Sequence, residues 1–246
     1  MNTRIYESVR DDKGFTLVEL AIVMVIIGLL IGGILKGQEM IANAQVTSTV
    51  AQAKGVTAAN STFRDMYDSF PGDMTNATAL VRLSGCAAAP CQGGGNGDGR
   101  LANVPGTALA STSGTENYAF WVQLNAADLV SGVDGSATVA WGQGLPSAPI
   151  GGGLTAGYFG GGALGQNAAA KGAPYLTIQS AVGGIAGAAG TGAMTASQAA
   201  RMDRKMDDGS PTTGSVFVNH GDCVGAVLTN YPEAADASDC DMFVRL

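Results

Sequence analysis

The stretch "KGFTLVELAIVMVIIGLLIGGILKG", Lys13 to Gly37, decides the fold. Within it, Phe15 to Leu35 are 21 residues with one charge, Glu19. At about 1.5 Å per residue such a helix is roughly 30 Å long, the thickness of a bilayer's hydrocarbon core. The run therefore reads as a membrane-spanning helix, and its lone carboxylate needs a reason. A charge in a bilayer costs roughly 2.5–3.5 kcal/mol on insertion scales, so it usually has a partner and a purpose. The preceding 14 residues carry Arg4, Arg10 and Lys13 against Glu7, Asp11 and Asp12. Basic residues beside the span favour a cytoplasmic N-terminus and export of the rest. A cleavable signal peptide is an alternative, because "ANA" at Ala42 to Ala44 has the shape of a cleavage site. A plain signal anchor is another. Neither accounts for Glu19.

The residues "KGFTLVEL", Lys13 to Leu20, resemble the processing site of type IV prepilins and of the pseudopilins of type II secretion. The resemblance implies cleavage by a prepilin peptidase between Gly14 and Phe15, followed by methylation of the Phe15 amine. Elementary chemistry agrees with it. An amine at Phe15 lies four residues from Glu19, on the same helix face. The carboxylate can pair with that amine, or with the amine of a neighbouring subunit. In a core of packed apolar helices an unpaired Glu is heavily penalised. Glu19 thus reads as an assembly residue that sets the register of one subunit on the next. Where many family members carry a kinking proline, this chain has Lys36. Gly28, Gly32, Gly33 and Gly37 either loosen the helix or let neighbouring helices approach.

The resemblance also implies an α+β, pilin-like fold: a long N-terminal α-helix packed on a C-terminal antiparallel β-sheet. The expected divisions are a leader, 1–14; a membrane-spanning or filament-core helix, 15–36; its amphipathic continuation, 37–70; and a globular head, 71–246. The periodicity supports the continuation independently. Val46, Val50, Ala53, Val56, Ala59, Phe63, Met66 and Phe70 recur at three- and four-residue steps, one apolar stripe on a polar helix. "SFPGD", Ser69 to Asp73, stops it.

In the head, "GGGNGDG" and "GGGLTAGYFGGGALG" read as glycine-rich surface loops. "NYAFWVQLNAADLVSG" predicts a helix ending at Gly132, and "YLTIQSAV" a strand from Tyr175 to Val182. "TASQAARMDRKMDDG" predicts a helix with Thr195 as N-cap and Gly209 as its stop. "GSVFVNH", "CVGAVLTN" and "DMFVRL" predict three strands.

The four cysteines form two local pairs, Cys86 with Cys91 and Cys223 with Cys240. Neither has zinc-knuckle spacing, and the single histidine is His220. Two disulfides in an oxidising compartment compete with four reduced thiols, and the membrane segment favours the disulfides. A net charge of -7 without a basic stripe argues against nonspecific nucleic-acid binding. Asp203, Asp207 and Asp208 are candidate calcium ligands, as are Asp236, Asp239 and Asp241. For the first group a solvated helix end, paired with Arg204 and Lys205, is the competing reading. No other cofactor is expected.

An enzyme is a poor fit. Neither a nucleophile elbow nor a Walker A loop occurs. Gly160, Gly162 and Gly165 match a dinucleotide fingerprint by letters alone, since no following helix survives "KGAP" at Lys171 to Pro174. Trp121 and Trp141 read as core or loop anchors. The expected function is a non-catalytic subunit of a type IV pilus-like filament at the bacterial inner membrane. Its partners would be the prepilin peptidase and methylase, other pilins and an assembly platform. A type II secretion pseudopilin is the alternative. A membrane-anchored or secreted enzyme or ligand-binding domain is the more distant one.

Overall fold

A computed structural model describes residues 14–86, 90–102, 115–180, 182, 192–218, 223–225, 230–233 and 240–246. Contacts divide the chain into a unit ending at Ile41 and a unit from Ala42 to Leu246. Helix α1, Leu17–Tyr67, contributes residues to both.

In the first unit α1 carries its apolar side chains bare. Leu17, Val18, Ile22, Ile26, Leu30 and Leu35 are each at least half exposed. The helix is unbroken through Gly28, Gly32, Gly33 and Gly37. A Cβ at any of these glycines would meet nothing within 4 Å, so the chain's own packing does not demand them.

In the second unit the predicted stripe is buried. Val46, Val50, Ala53, Val56, Ala59, Phe63 and Phe70 join one core with Leu154, Ala156, Leu176, Ile178, Val216 and Val244. Burying each larger side chain contributes about 1.5–3 kcal/mol. Met66 is the exception and is exposed. Asp68 ends the helix at φ 50°, its N–H reaching the Arg64 carbonyl at 2.9 Å. Arg82, at the end of α2 (Asn76–Arg82), donates to the Tyr67 and Met66 carbonyls that α1 leaves open.

Helix α3, Glu116–Ala126, is buried from Glu116 to Leu124. It stops six residues before the expected Gly132. Asp128 adopts φ 58° and donates to Asn125 O, while Leu129 N bonds Leu124 O. These two bonds make a Schellman motif with an aspartate where glycine is usual.

Four strands form an antiparallel sheet in the order β1-β4-β6-β5: β1 is Gly153–Phe159, β4 Ala173–Gln179, β5 Val216–Val218 and β6 Met242–Arg245. A hairpin, β2 (Gly162–Leu164) and β3 (Asn167–Ala170), interrupts it. Alternation assigns the faces. Leu154, Ala156, Leu176, Ile178, Val216, Val218, Met242 and Val244 join the α1 core. Tyr175, Phe217 and Phe243 form a second cluster with Leu164 and Ala170 of the hairpin. Both faces are thus covered.

The glycine-rich run 151–165 is therefore not a surface loop. Its first half is β1, paired with β4 over seven residues. Glycine is required there by a close approach: a Cβ on Gly153 would lie 2.2 Å from the Trp141 ring and 2.4 Å from the Pro146 carbonyl. The strand expected at "CVGAVLTN" is absent at Cys223–Gly225, and its continuation lies outside the described residues, as does His220. Helix α4, Ala196–Met206, begins with the expected Thr195 cap, completed by Gln198 as a capping box. Arg201 and Lys205 fasten α4 to Asn43 and Thr47 at 2.8 and 2.6 Å.

Gly153→Ala is expected to lower the unfolding free energy by about 1–3 kcal/mol, measured by urea denaturation. Gly160→Ala, where a Cβ meets nothing within 4 Å, should shift it by less than about 1 kcal/mol.

Candidate functional site

The N-terminal site begins with two exposed residues outside any regular element. Gly14 and Phe15 precede the helix, and Phe15 is 88% exposed. Thr16 sits at the N-cap. Its hydroxyl accepts from Glu19 N at 3.2 Å. Glu19 Oε2 in turn accepts from Thr16 N at 2.9 Å and from the Thr16 hydroxyl at 2.7 Å. This is a reciprocal capping box, in which threonine and a glutamate three residues on satisfy each other's backbone donors. A helix entering lipid gains most from it, because its first N–H groups find no water there.

The box gives Glu19 a role in the uncut chain that the expected amine pairing does not supply. Its signal, Thr16-x-x-Glu19, stands inside the processing motif and is legible in the sequence. All three bonds involving Glu19's carboxylate or Thr16's hydroxyl leave Glu19 Oε1 without a partner among the described residues.

Residues 9–35 match the family model described as the prokaryotic N-terminal methylation motif. The motif supports the resemblance to type IV pilins and pseudopilins over this stretch. No curated protein and no solved structure matches it. The matched motif is that of a structural subunit made for processing by a prepilin peptidase and for assembly. The apolar part of α1 is long enough to cross a membrane, as a membrane-anchored pilin requires.

The pilin-type head is closed by two disulfides. Cys86–Cys91 and Cys223–Cys240 are bonded, with Cα atoms 5.3 and 5.5 Å apart. The first is tied into the core by Gln123, which is fully buried. Its side chain donates to Cys91 O at 3.0 Å and accepts from Gly72 N at 2.6 Å.

The predicted acidic group also comes together. Asp203, Asp207 and Asp208 each place an oxygen within 4.8 Å of the others. The spacing alone would admit a cation, but the oxygens already have protein donors. Asp203 accepts from the Tyr231 hydroxyl at 2.8 Å and from Gly209 N at 3.3 Å. Asp207 Oδ2 accepts from Ser215 N and Val216 N. Asp208 accepts from Ser210 N at 2.8 Å and the Thr213 hydroxyl at 2.7 Å. Calcium needs about six to eight oxygens free of other donors. This set does not fit that need. Asp236 and Asp239 lie outside the described residues. Asp241 is buried and accepts from Ala193 N.

Arg204 pairs with Glu233, not with the acidic group. Burial pushes the Asp203 carboxyl up to about 7, against the lowering effect of the Tyr231 and Gly209 bonds. Burial also raises Glu116. A buried clasp that the sequence reading did not single out is Asp73, whose two oxygens hold Gly97 N at 2.8 Å and Gly99 N at 2.6 Å. Of the dinucleotide-fingerprint glycines, Gly160 precedes β2, Gly162 opens it and Gly165 lies in the turn to β3, so a strand follows where the fingerprint needs a helix.

Thr16→Val should weaken the helix start by about 1 kcal/mol. Faster amide exchange at Val18 to Leu20 of the micelle-embedded chain measures this. Replacing Cys223 and Cys240 by serine should cost about 3 kcal/mol in urea unfolding, and replacing Cys86 and Cys91 about 2, because the closed loop is shorter.

Proposed function

We propose that this chain is the structural subunit of a type IV pilus-like filament. It is made as a prepilin, held in the inner membrane with its N-terminus cytoplasmic, cut between Gly14 and Phe15, and N-methylated at Phe15. It then polymerises through α1. The observation that carries this reading is the methylation motif lying across the start of a helix whose apolar residues are bare as far as Ile41. Such a surface needs lipid or other helices around it.

Glu19 connects the stages. Before cleavage its Oε2 closes the capping box, so the carboxylate enters the membrane already hydrogen-bonded. Cleavage adds an ammonium four residues away, and Oε1 is available to it or to the ammonium of a neighbour. A subunit in the wrong axial position leaves this charge unpaired in an apolar core, at a cost of several kcal/mol. Methylation keeps the positive charge, so the pairing survives it. A pseudopilin would share every one of these steps. The filament in which the mature chain is found decides between the two.

Mass spectrometry of the mature N-terminus is expected to show a methylated Phe15. A chain beginning near Gln45 would sink the proposal, since that is signal-peptide cleavage after Ala44. Glu19→Ala is expected to be processed normally yet to be absent from sheared filaments. Its incorporation at the wild-type level would remove the register role from Glu19.

A further inference from the structure

We propose that Lys36 and Glu39 form a second contact between subunits, in which Lys36 of one copy of this chain ion-pairs with Glu39 of a neighbouring copy. The inference rests on the filament reading above and adds to it a second neighbour. Lys36 and Glu39 are the only charged residues from Leu20 to Ala53. In the single chain Lys36 Nζ bonds Glu39 Oε2 at 2.7 Å, and both side chains are at least half exposed. An exposed pair of this kind is worth little in water.

Its setting gives it weight. Ile34 and Leu35 before it, and Met40 and Ile41 after it, are bare. Ile41 lies about 9 Å beyond Leu35, where the run that fills a bilayer core ends. Lipid tails that cover Phe15 to Leu35 therefore stop short of Met40 and Ile41, whereas the helix of another copy can lie along all four. A helix that covers them also keeps water from the two charges between them. Charges enclosed in this way are stable only with opposite charge and hydrogen bonds at hand. Lys36 carries three N–H donors, and its bond to Glu39 takes one. A second copy brings another carboxylate of the same kind.

The geometry admits that exchange. Copies that enter the membrane in one orientation pack parallel. A parallel copy shifted by three residues, about 4.5 Å along the axis, brings its own Lys36 level with Glu39. Gly33 and Gly37, one turn apart next to Lys36, have nothing within 4 Å of where a Cβ would stand. They let a second helix come close beside the lysine. At 3.6 residues per turn, Glu39 is turned about 200° from Glu19 and Lys36 about 260°. The pair thus points away from the side on which Glu19 meets an ammonium, and it addresses a different neighbour.

Charge exchange between copies tests this. The full chain is quantified by mass spectrometry in filaments sheared from producing cells, and cleavage and membrane insertion of each variant are measured in the same cells. Lys36→Glu alone and Glu39→Lys alone leave like charges in every copy. Each should be cleaved and inserted as the wild type is, yet fall about tenfold or more in filaments. Produced together, the two variants carry opposite charges only across copies. They should recover most of the wild-type amount of filament and enter it in similar proportions. A pair that acts inside its own chain gives no such recovery, because neither variant restores it. Loss of both single variants without recovery therefore overturns the proposal. So does assembly of either single variant at the wild-type level; Glu39→Lys assembling normally would make Lys36 an anchor to anionic lipid headgroups. Failed cleavage or insertion of a single variant assigns the pair to export and overturns it as well. In each of these cases a methylated Phe15 in wild-type filaments leaves the filament reading standing. Wild-type chain absent from filaments overturns both.

Discussion

The apolar surface from Phe15 to Ile41 has no partner among the described residues, and the rest of the molecule is arranged around that deficit. Exposure of seventeen large apolar residues is tolerable only in lipid or among other helices. A bilayer satisfies the surface without specifying a position, because lipid is equally good at every depth of the core. Helices packed side by side satisfy it equally well, again with weak positional preference. The register must come from something polar. Glu19 is the one charge in Phe15 to Leu35, and its capping box lets it travel through the first environment on the way to the second.

The head depends on the same helix. From Val46 onward α1 turns from apolar all round to apolar on one face, and that face becomes one wall of the core. The other wall is the inner face of the sheet. Because the hairpin β2–β3 covers the outer face, Tyr175, Phe217 and Phe243 can be large aromatics there. Polar groups on the stripe are put to use. Thr49 donates to Gln45 O and accepts from Ile150 N, so the helix also positions the strand approach.

Much of this was legible because its signals are local. The stripe has helical period, the processing motif is contiguous, the cysteines pair within 17 residues, and Thr195 and Gln198 spell a cap. What was not legible depends on distant partners. β1 hides in a glycine run because Trp141, twelve residues earlier, presses on Gly153. Glycine there records a close approach, and composition alone reads it as a loop. α3 ends at Asp128 because an aspartate took the left-handed position, while Gly132 is the residue that composition favours. Met66 keeps the helical period yet is exposed, because the neighbouring core closes at Phe63 and Phe70. Thr16-x-x-Glu19 is a local signal of the same kind, a cap spelled out inside the processing motif.

The acidic balance of the chain has a structural origin. Long glycine-rich segments offer many backbone N–H groups and few side chains to bond them, yet a buried N–H must find an acceptor. Carboxylates supply it repeatedly. Asp73 holds the amides of Gly97 and Gly99; Asp207 holds Ser215 and Val216; Asp208 holds Ser210; Asp241 holds Ala193. Asp98 and Asp134 do the same in exposed turns, for Arg100 and Ser136. A carboxylate accepts several bonds at once and donates none when ionised, which suits a loop better than a hydroxyl or an amide. Ion pairs, by contrast, are scarce among the described residues, with Lys36–Glu39 and Arg204–Glu233 both at the surface. The negative charge thus reflects how the loops are tied down. It is accounted for without a cationic ligand.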